Sequence, residues 1–387
     1  MFFSKSSRLG SLKKEKCMPN LPIVSIVLGT RPEAIKLAPV IKAFRSCSSI
    51  NTRVVLTGQH KEMVYPVMDL FEIEADQDLG LMLPTQSLTH VTCSVLQGLR
   101  TEFQSHPSKL VLVQGDTTTA LASALAAFYE KIPVGHIEAG LRTENLLEPF
   151  PEEANRRLIS QIATLNFAPT KLAAANLKVS GVIGEILVTG NTVVDAIHSI
   201  EDKAVLPHLP LIDWDAKRVI LVTVHRRENW GQPLMEIAKG LNLLLDSYPE
   251  AVIILPMHRN PVVRKALKKY LGGNPRIVLT NPLDYGELVA VMKRSCLLLT
   301  DSGGLQEEAP AFGKPVLVLR NTTERREALE AGTAILVGTD PQKISSEAIR
   351  LLEDKEAYKT MASVHNPFGD GKASGRILRR TLELLAL

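Results

Sequence analysis

Short, nearly continuous apolar runs alternate with longer stretches of helical period along the whole chain. In the first half the runs are Ile23–Leu28, Val54–Thr57, Leu110–Val113, Val134–Ile137, Leu165–Ala168 and Ile186–Val188. They are rich in β-branched residues and show little alternation, as expected of strands covered on both faces. Between them the pattern predicts helices over Pro39–Arg45, Leu88–Phe103, Ala120–Tyr129 and Glu152–Ala163. The second half repeats the plan, with strands at Val219–Val224, Val252–Leu255, Ile277–Leu279, Leu297–Thr300, Val316–Leu319 and Ala334–Val337. Its helices read at Leu234–Ser247, Val262–Leu271, Tyr285–Lys293, Leu305–Phe312 and Lys343–Glu353. Such alternation predicts an α/β protein of two Rossmann-like, doubly wound parallel-sheet domains. The period fails over 201–218, which holds Pro207, Pro210 and mixed charges, and the linker is expected there. The expected units are an extension (1–20), a first domain (21–200), the linker, a second domain (219–364) and a C-terminal segment (365–387). That last segment runs from turn chemistry at His365–Gly371 into a helix over Ser374–Leu385.

Composition changes this picture little. The formal charge of +4 resides in residues 1–17, where Lys5, Arg8, Lys13, Lys14 and Lys16 face only Glu15; the rest is formally neutral. Nucleic acid is therefore not an expected partner. The same 17 residues lack the apolar core of a secretory signal and read as a dispensable extension or a misassigned start ahead of Met18. No apolar run approaches the ~20 residues of a membrane helix. Cys17, Cys47, Cys93 and Cys296 show no C-x-x-C spacing, which suits a reducing cytoplasm and argues against a disulfide framework.

Doubly wound sheets bind ligands outside the carboxyl ends of their strands, so the residues after each strand are the candidates. Gly29-Thr30-Arg31-Pro32-Glu33-Ala34-Ile35-Lys36 follows the first run. Arg31 and Lys36 are either surface charges of a capped helix or an anion site at its N-terminus. Asp116 follows Leu110–Val113 and either caps the next helix or faces the crevice. Glu138 follows Val134–Ile137 beside Ala139-Gly140, small residues that would admit a ligand. Pro149-Phe150-Pro151 then delivers Glu152 and Glu153 to a helix start, where the dipole favours acids in any case. The second half has the opposite character. His225-Arg226-Arg227 after Val219–Val224 is a phosphate clamp or a solvated charge run, and His258 follows Val252–Leu255. Ser302-Gly303-Gly304, after Leu297–Thr300, opens a helix whose N–H groups allow close approach of a phosphate. Glu308 lies one turn further, placed for sugar hydroxyls, and Arg320 ends the next strand. One half thus suits a nucleotide diphosphate, and the other suits chemistry on a neutral group that develops positive charge. With neither a Walker loop, nor G-x-G-x-x-G, nor metal-ligand spacing, no cofactor and no metal is expected.

The motifs G-T-R-P-E-A-I-K, Q-G-D-T-T-T, H-I-E-A-G-L-R-T, P-F-P-E-E-A-N-R, H-R-R-E, D-S-G-G-L-Q-E-E-A-P, G-K-P-V-L-V-L-R and N-T-T-E-R occur in this order. Together they resemble the non-hydrolysing UDP-N-acetylglucosamine 2-epimerases over residues 22–380. The resemblance implies a GT-B-like fold with a central cleft, its last helix crossing back onto the first domain. It implies a homodimer that interconverts UDP-GlcNAc and UDP-ManNAc. By position it implies that Arg31, His225, Ser302, Gly303, Gly304, Glu308 and Arg320 hold UDP, while Lys36, Asp116, Glu138 and Glu152 face the sugar. Gln59 and His60 fall in the Q-H-x-x-M stretch near which bacterial members bind UDP-GlcNAc as an activator, and His258 belongs near it. The chain departs from the family at Arg326, where proline is usual, and in the variable uracil stretch 281–288.

The expected chemistry is elimination. UDP leaves C1, aided by His225 and the arginines; a carboxylate takes the C2 proton; and 2-acetamidoglucal is reprotonated from the other face before UDP returns. The rivals are an epimerase for a modified UDP-HexNAc, a retaining GT-B glycosyltransferase, and a non-catalytic UDP-sugar sensor, which would lack the three carboxylates.

Overall fold

The computed structural model describes residues 21–59, 61–81, 86–143, 145–209, 212–215 and 217–387. The expected extension and His60 lie outside them. The first domain runs β1 (Ile23–Leu28), α1 (Arg31–Arg45), β2 (Asn51–Leu56), α2 (Lys61–Leu70), β3 (Gln77–Asp78), α3 (Leu88–Ser105) and β4 (Ser108–Gln114). It continues α4 (Thr118–Tyr129), β5 (Val134–Ile137), α5 (Glu152–Ile162), β6 (Leu165–Ala168), α6 (Lys171–Val179), β7 (Glu185–Val188) and α7 (Thr192–Ile200). These strands form one parallel sheet in the order β3-β2-β1-β4-β5-β6-β7. The second domain runs β8 (Arg218–Thr223), α8 (Gln232–Ser247), β9 (Ala251–Pro256), α9 (Pro261–Leu271), β10 (Ile277–Thr280), α10 (Tyr285–Arg294) and β11 (Leu297–Thr300). After these come α11 (Gly303–Glu308), β12 (Val316–Val318), α12 (Arg326–Ala331), β13 (Ala334–Leu336), α13 (Pro341–Glu353) and α14 (Lys355–Ala362). Its parallel sheet has the order β10-β9-β8-β11-β12-β13. The order reverses between β1 and β4 in one sheet and between β8 and β11 in the other. Each reversal opens a crevice at the strands' carboxyl ends.

Helix α1 begins at Arg31, two turns before the predicted Pro39. Thr30 and Glu33 form a capping box that starts it, and Pro39 sits in its interior, sacrificing one backbone bond. The predicted helix Leu305–Phe312 is two elements: α11, then a 3-10 turn over Ala309–Phe312. Strand β3 and helices α2, α6, α7, α12 and α14 escaped the sequence pattern. Helix α7 is nine residues long, with seven buried and only His198 and Ser199 exposed, too short a span to set a visible period.

The last helix, α15 (Ala373–Leu384), packs against α1 and α7. Buried Asp195 of α7 caps it, accepting from the Ala373 and Ser374 N–H groups at 3.2 and 2.8 Å. Arg380 pairs with Glu185 of β7 at 2.6 Å. The chain therefore returns to the domain it left at α7. Near the cleft the two domains share apolar packing, with Phe71 of the first stacked on Tyr285 of the second at 6.3 Å.

Candidate active site

Both crevices open into one cavity of about 900 Å³ between the sheets. Arg31, Lys36, Asp116, Glu138 and Glu152 line its first-domain wall. Glu138 is buried in the left-handed region at φ 64°, which costs an L-residue roughly 1–2 kcal/mol. Three donors hold its carboxylate: Lys36 Nζ at 2.5 Å, Asn191 Nδ2 at 3.3 Å and the Gln114 amide. Such strain persists only where surrounding contacts over-determine it, as these three donors do. The neighbouring Gly140 has a different use from the one expected. At φ 97°, a Cβ there would lie 2.2 Å from the Ala173 carbonyl, so it admits helix α6 rather than a ligand.

Asp116 is not a helix cap. Thr117 caps α4, accepting from the Ala120 N–H at 3.0 Å. The Asp116 carboxylate instead pairs with Arg156 at 2.8 Å, and its carbonyl accepts from Asn155 Nδ2 at 2.8 Å. Burial raises its pKa, opposed by Arg156 and reinforced by Glu152. Of the adjacent acids, Glu152 lines the cavity, whereas Glu153 is wholly buried and anchors the loop through the Thr143 N–H at 3.0 Å and Arg157 at 2.6 Å. Glu33, which sequence reading passed over, ties the two loops together. It accepts from the Gly29 and Thr30 N–H groups at 2.7 and 2.8 Å and from the Thr117 hydroxyl. Its signal was the T-x-x-E spacing of Thr30 and Glu33.

On the second wall, His225 and His258 stack with ring centres 6.3 Å apart. Burial lowers the His258 pKa, and His225 adds to that. Asp301, fully buried at the end of β11, organises the loop after β8. It receives His225 Nδ1 at 2.9 Å, the His225 and Arg226 N–H groups at 2.9 Å and Asn229 Nδ2 at 2.9 Å. Ser302 caps α11 without engaging its hydroxyl in a cap bond, and Ser302 and Gly304 line the cavity. Gly303 lies behind them, where a Cβ would come within 3.1 Å of the Arg325 guanidinium carbon. Burial and Glu307 push the Glu308 carboxyl up to about 7, against the pull of Lys36 and Arg31. Met257, Pro282, Leu283 and Leu288 form an apolar end.

Arg320 is not in this cavity. It pairs with Glu228 at 2.5 Å and Glu324 at 2.7 Å and lines a separate surface hollow with Asn321 and Asp340. Strand β12 ends at Val318, so the chain has passed the rim before Arg320. Arg325 occupies the cleft instead, paired with Glu307 at 2.8 Å and Glu324 at 3.1 Å. Gln59 lies outside the cavity lining, its side-chain oxygen accepting from the Thr119 hydroxyl. Among the described residues no cluster of three His, Cys, Asp or Glu stands ready for a metal ion, and no helix is long and apolar enough to cross a membrane.

The sequence pattern of the family described as UDP-N-acetylglucosamine 2-epimerase matches residues 42–382. A protein of Escherichia coli O157:H7 named UDP-N-acetylglucosamine 2-epimerase is 47% identical over 365 residues, covering 92% of this chain and 97% of its own. The crystal structure of UDP-GlcNAc 2-epimerase from Neisseria meningitidis bound to UDP-GlcNAc is 45% identical and superposes with a TM-score of 0.87, covering 93% of this chain and 100% of its own. The Methanocaldococcus jannaschii UDP-GlcNAc 2-epimerase in complex with UDP-GlcNAc and UDP is 34% identical, with a TM-score of 0.78 and coverage of 93% and 99%. A two-domain parallel α/β fold, a cleft with acids on one wall and cations on the other, and this likeness along nearly the whole length lead to one conclusion: the chain belongs to the UDP-N-acetylglucosamine 2-epimerase family.

Proposed function

We propose that the protein interconverts UDP-GlcNAc and UDP-ManNAc by elimination and re-addition of UDP. The observation that carries this reading is one cavity in which Asp116, Glu138 and Glu152 share space with His225, Arg325 and the Ser302–Gly304 turn. The diphosphate lies along His225, Arg325, Ser302 and the α11 start. Uracil takes the apolar end formed by Met257, Pro282, Leu283 and Leu288, and Glu308 and Arg31 flank the ribose. Lys36 and the three carboxylates face the sugar.

The C1–O bond breaks toward the diphosphate, where His225 and Arg325 stabilise the departing charge. Electron deficiency at C1 acidifies the C2 hydrogen, which passes to a carboxylate, and the C2–H electron pair forms the C1=C2 double bond of 2-acetamidoglucal. A second carboxylate delivers a proton to the opposite face of C2, and the diphosphate oxygen returns to C1. Two faces require two groups, which the acidic wall supplies.

The same reading extends to a cytoplasmic homodimer, supported by exposed Phe128, Tyr129 and Leu158 on the adjoining helices α4 and α5. It also extends to UDP-GlcNAc as an activator near Gln59 and His258, supported by the stacking of His258 on His225. Proton NMR of the protein with UDP-GlcNAc in D2O tests the reaction. Deuterium should appear at C2 of both epimers; UDP-ManNAc formed with C2 hydrogen retained, or no C2 exchange at all, would refute it.

A further inference from the structure

Arg156 closes the P-F-P-E-E-A-N-R motif, and the chemistry just described makes no use of it. It lies one turn into α5, lines the cavity, and has a side chain only 6% exposed. A guanidinium stays charged at any working pH, so its charge must be met inside the protein. Its Nη2 is 2.8 Å from Asp116 Oδ2 and its Nη1 is 3.4 Å from Glu153 Oε2. Glu153 is also claimed by Arg157 and by the Thr143 N–H, which leaves Asp116 as the closer counter-ion. The residue before Arg156 grips the same loop, Asn155 Nδ2 donating to the Asp116 carbonyl at 2.8 Å. Glu152 and Arg156 stand four apart, the spacing at which a helix pairs opposite charges. Among the described residues no ion pair joins them, and the guanidinium reaches across to Asp116 instead. One turn of α5 thus carries an acid of the cavity wall together with the two residues that hold Asp116 by its backbone and its side chain.

The two oxygens of Asp116 therefore differ. Oδ2 faces Arg156, whereas Oδ1 accepts no hydrogen bond among the described residues, and the side chain stays 25% exposed on the cavity wall. Glu138 has no such freedom, since Lys36 and Asn191 donate to its Oε1 and Gln114 to its Oε2. The charges that face Asp116 are Arg156 and Glu152 from α5, Lys36 from α1 and Arg325 from the second domain. Burial favours its proton, Arg156 opposes that most strongly, Glu152 sides with burial, and Lys36 and Arg325 oppose it. His136 of β5 donates from Nε2 to the adjoining Gly115 carbonyl at 2.7 Å and adds no charge, because burial pulls its ring down to about 4.

We propose that Arg156 is a positioning residue that keeps Asp116 ionised beside Glu152 and leaves one oxygen of Asp116 open to take the C2 proton. This rests on the epimerase reading of the cleft. The proton passes from C2 to Asp116, the C2–H electron pair forms the C1=C2 bond, and the C1–O pair leaves with the diphosphate.

The test compares Arg156→Gln with Arg156→Lys. Without the cation Asp116 binds its proton at higher pH. In the glutamine variant the acid limb of the kcat profile should therefore move upward by about 1–3 pH units. KM for UDP-GlcNAc should stay within about threefold, and most of the lost turnover should return as the pH is raised. Lysine keeps the charge but not the fork, so its limb should move in the same direction and less than half as far. Protein labelled with 13C at its aspartate carboxyls gives the same reading without turnover. The Asp116 signal, identified by its loss in Asp116→Asn, should titrate higher in the glutamine variant by a similar amount. A limb that stays in place, turnover lowered equally at every pH, a lysine variant displaced as far as the glutamine, or an unmoved carboxyl signal would each overturn the proposal. Should Arg156→Gln fail to fold, the lysine variant carries the test, and an unmoved limb and signal there overturn it. A wild-type protein that forms no UDP-ManNAc defeats the epimerase reading instead, whereas the carboxyl signal still reports on the hold of Arg156 over Asp116.

Discussion

Replacing Asp301 by asparagine should disable the cleft without emptying it. Four donors converge on this carboxylate, and the Oδ2 side takes three of them: the His225 and Arg226 N–H groups and Asn229 Nδ2, each at 2.9 Å. Asparagine has one acceptor oxygen, which must go there. Its NH2 then faces His225 Nδ1, now 2.9 Å from a carboxylate oxygen. Two N–H groups cannot face each other, so Nδ1 must become an acceptor, the ring can no longer carry a proton on both nitrogens, and the cationic form that would stabilise the leaving diphosphate is lost. Losing one charge-assisted hydrogen bond costs about 1.5–3 kcal/mol, which lowers Tm by roughly 3–12 °C. Losing one electrostatic stabiliser of the transition state lowers kcat by about 10²–10³. Calorimetry and steady-state epimerisation measure the two separately. Because Asp301 acts through His225, adding His225→Ala to Asp301→Asn should lower kcat little further. A normal kcat with the expected drop in Tm would reduce Asp301 to a strut, and losses that multiply would show that it does not work through His225.

Three further outcomes are expected. Asp116→Asn, Glu138→Gln and Glu152→Gln should each lose about 10²-fold or more in kcat while calorimetric UDP affinity is spared; normal turnover in all three removes them from the chemistry. Arg325→Lys exchanges a fork for a point charge and should cost roughly 10–100-fold in kcat/KM, whereas Arg320→Lys should cost far less; steady-state kinetics in the reverse order would return Arg320 to the diphosphate clamp. Glu308 titrates at about 7 in the fold and near 4.3 in an unfolded chain. Between those values the folded state holds the extra proton, so this group makes stability fall as pH rises. Denaturant titrations of Glu308→Gln across that window should show a flatter slope, and an identical slope would count against the buried, protonated carboxyl.

The strands were legible because helices cover both faces of each sheet. The limits of β1, β5, β6 and β11 follow directly from where apolar residues stop. The residue after such a strand is placed at the rim with little freedom, which is why Asp116, Glu138 and His225 could be read from the chain. Arg320 and Arg325 show where that logic runs out. Beyond β12 the chain turns, and which arginine faces inward depends on Glu228 and Glu307, residues far away in sequence. Asp301 and Arg156 were visible as letters of a motif, but their roles come from partners such as His225 and Asp116 that only the folded chain assembles. Helix α7 was hidden for a different reason, since nine residues span too few turns for the exposed His198 and Ser199 to mark a repeating polar stripe.

The return of α15 to the first domain has a consequence during synthesis. The first domain is the first to leave the ribosome and the last to be completed. A nascent chain ending at residue 364 already contains every strand of both sheets, yet it lacks Ile377 and Thr381, which are fully buried in the finished protein. Until those residues emerge, the seam between α1 and α7 is an exposed apolar strip, the kind of surface that chaperones bind and that aggregates. Premature termination near the end of the chain would therefore damage the domain made first and leave the domain made second largely whole.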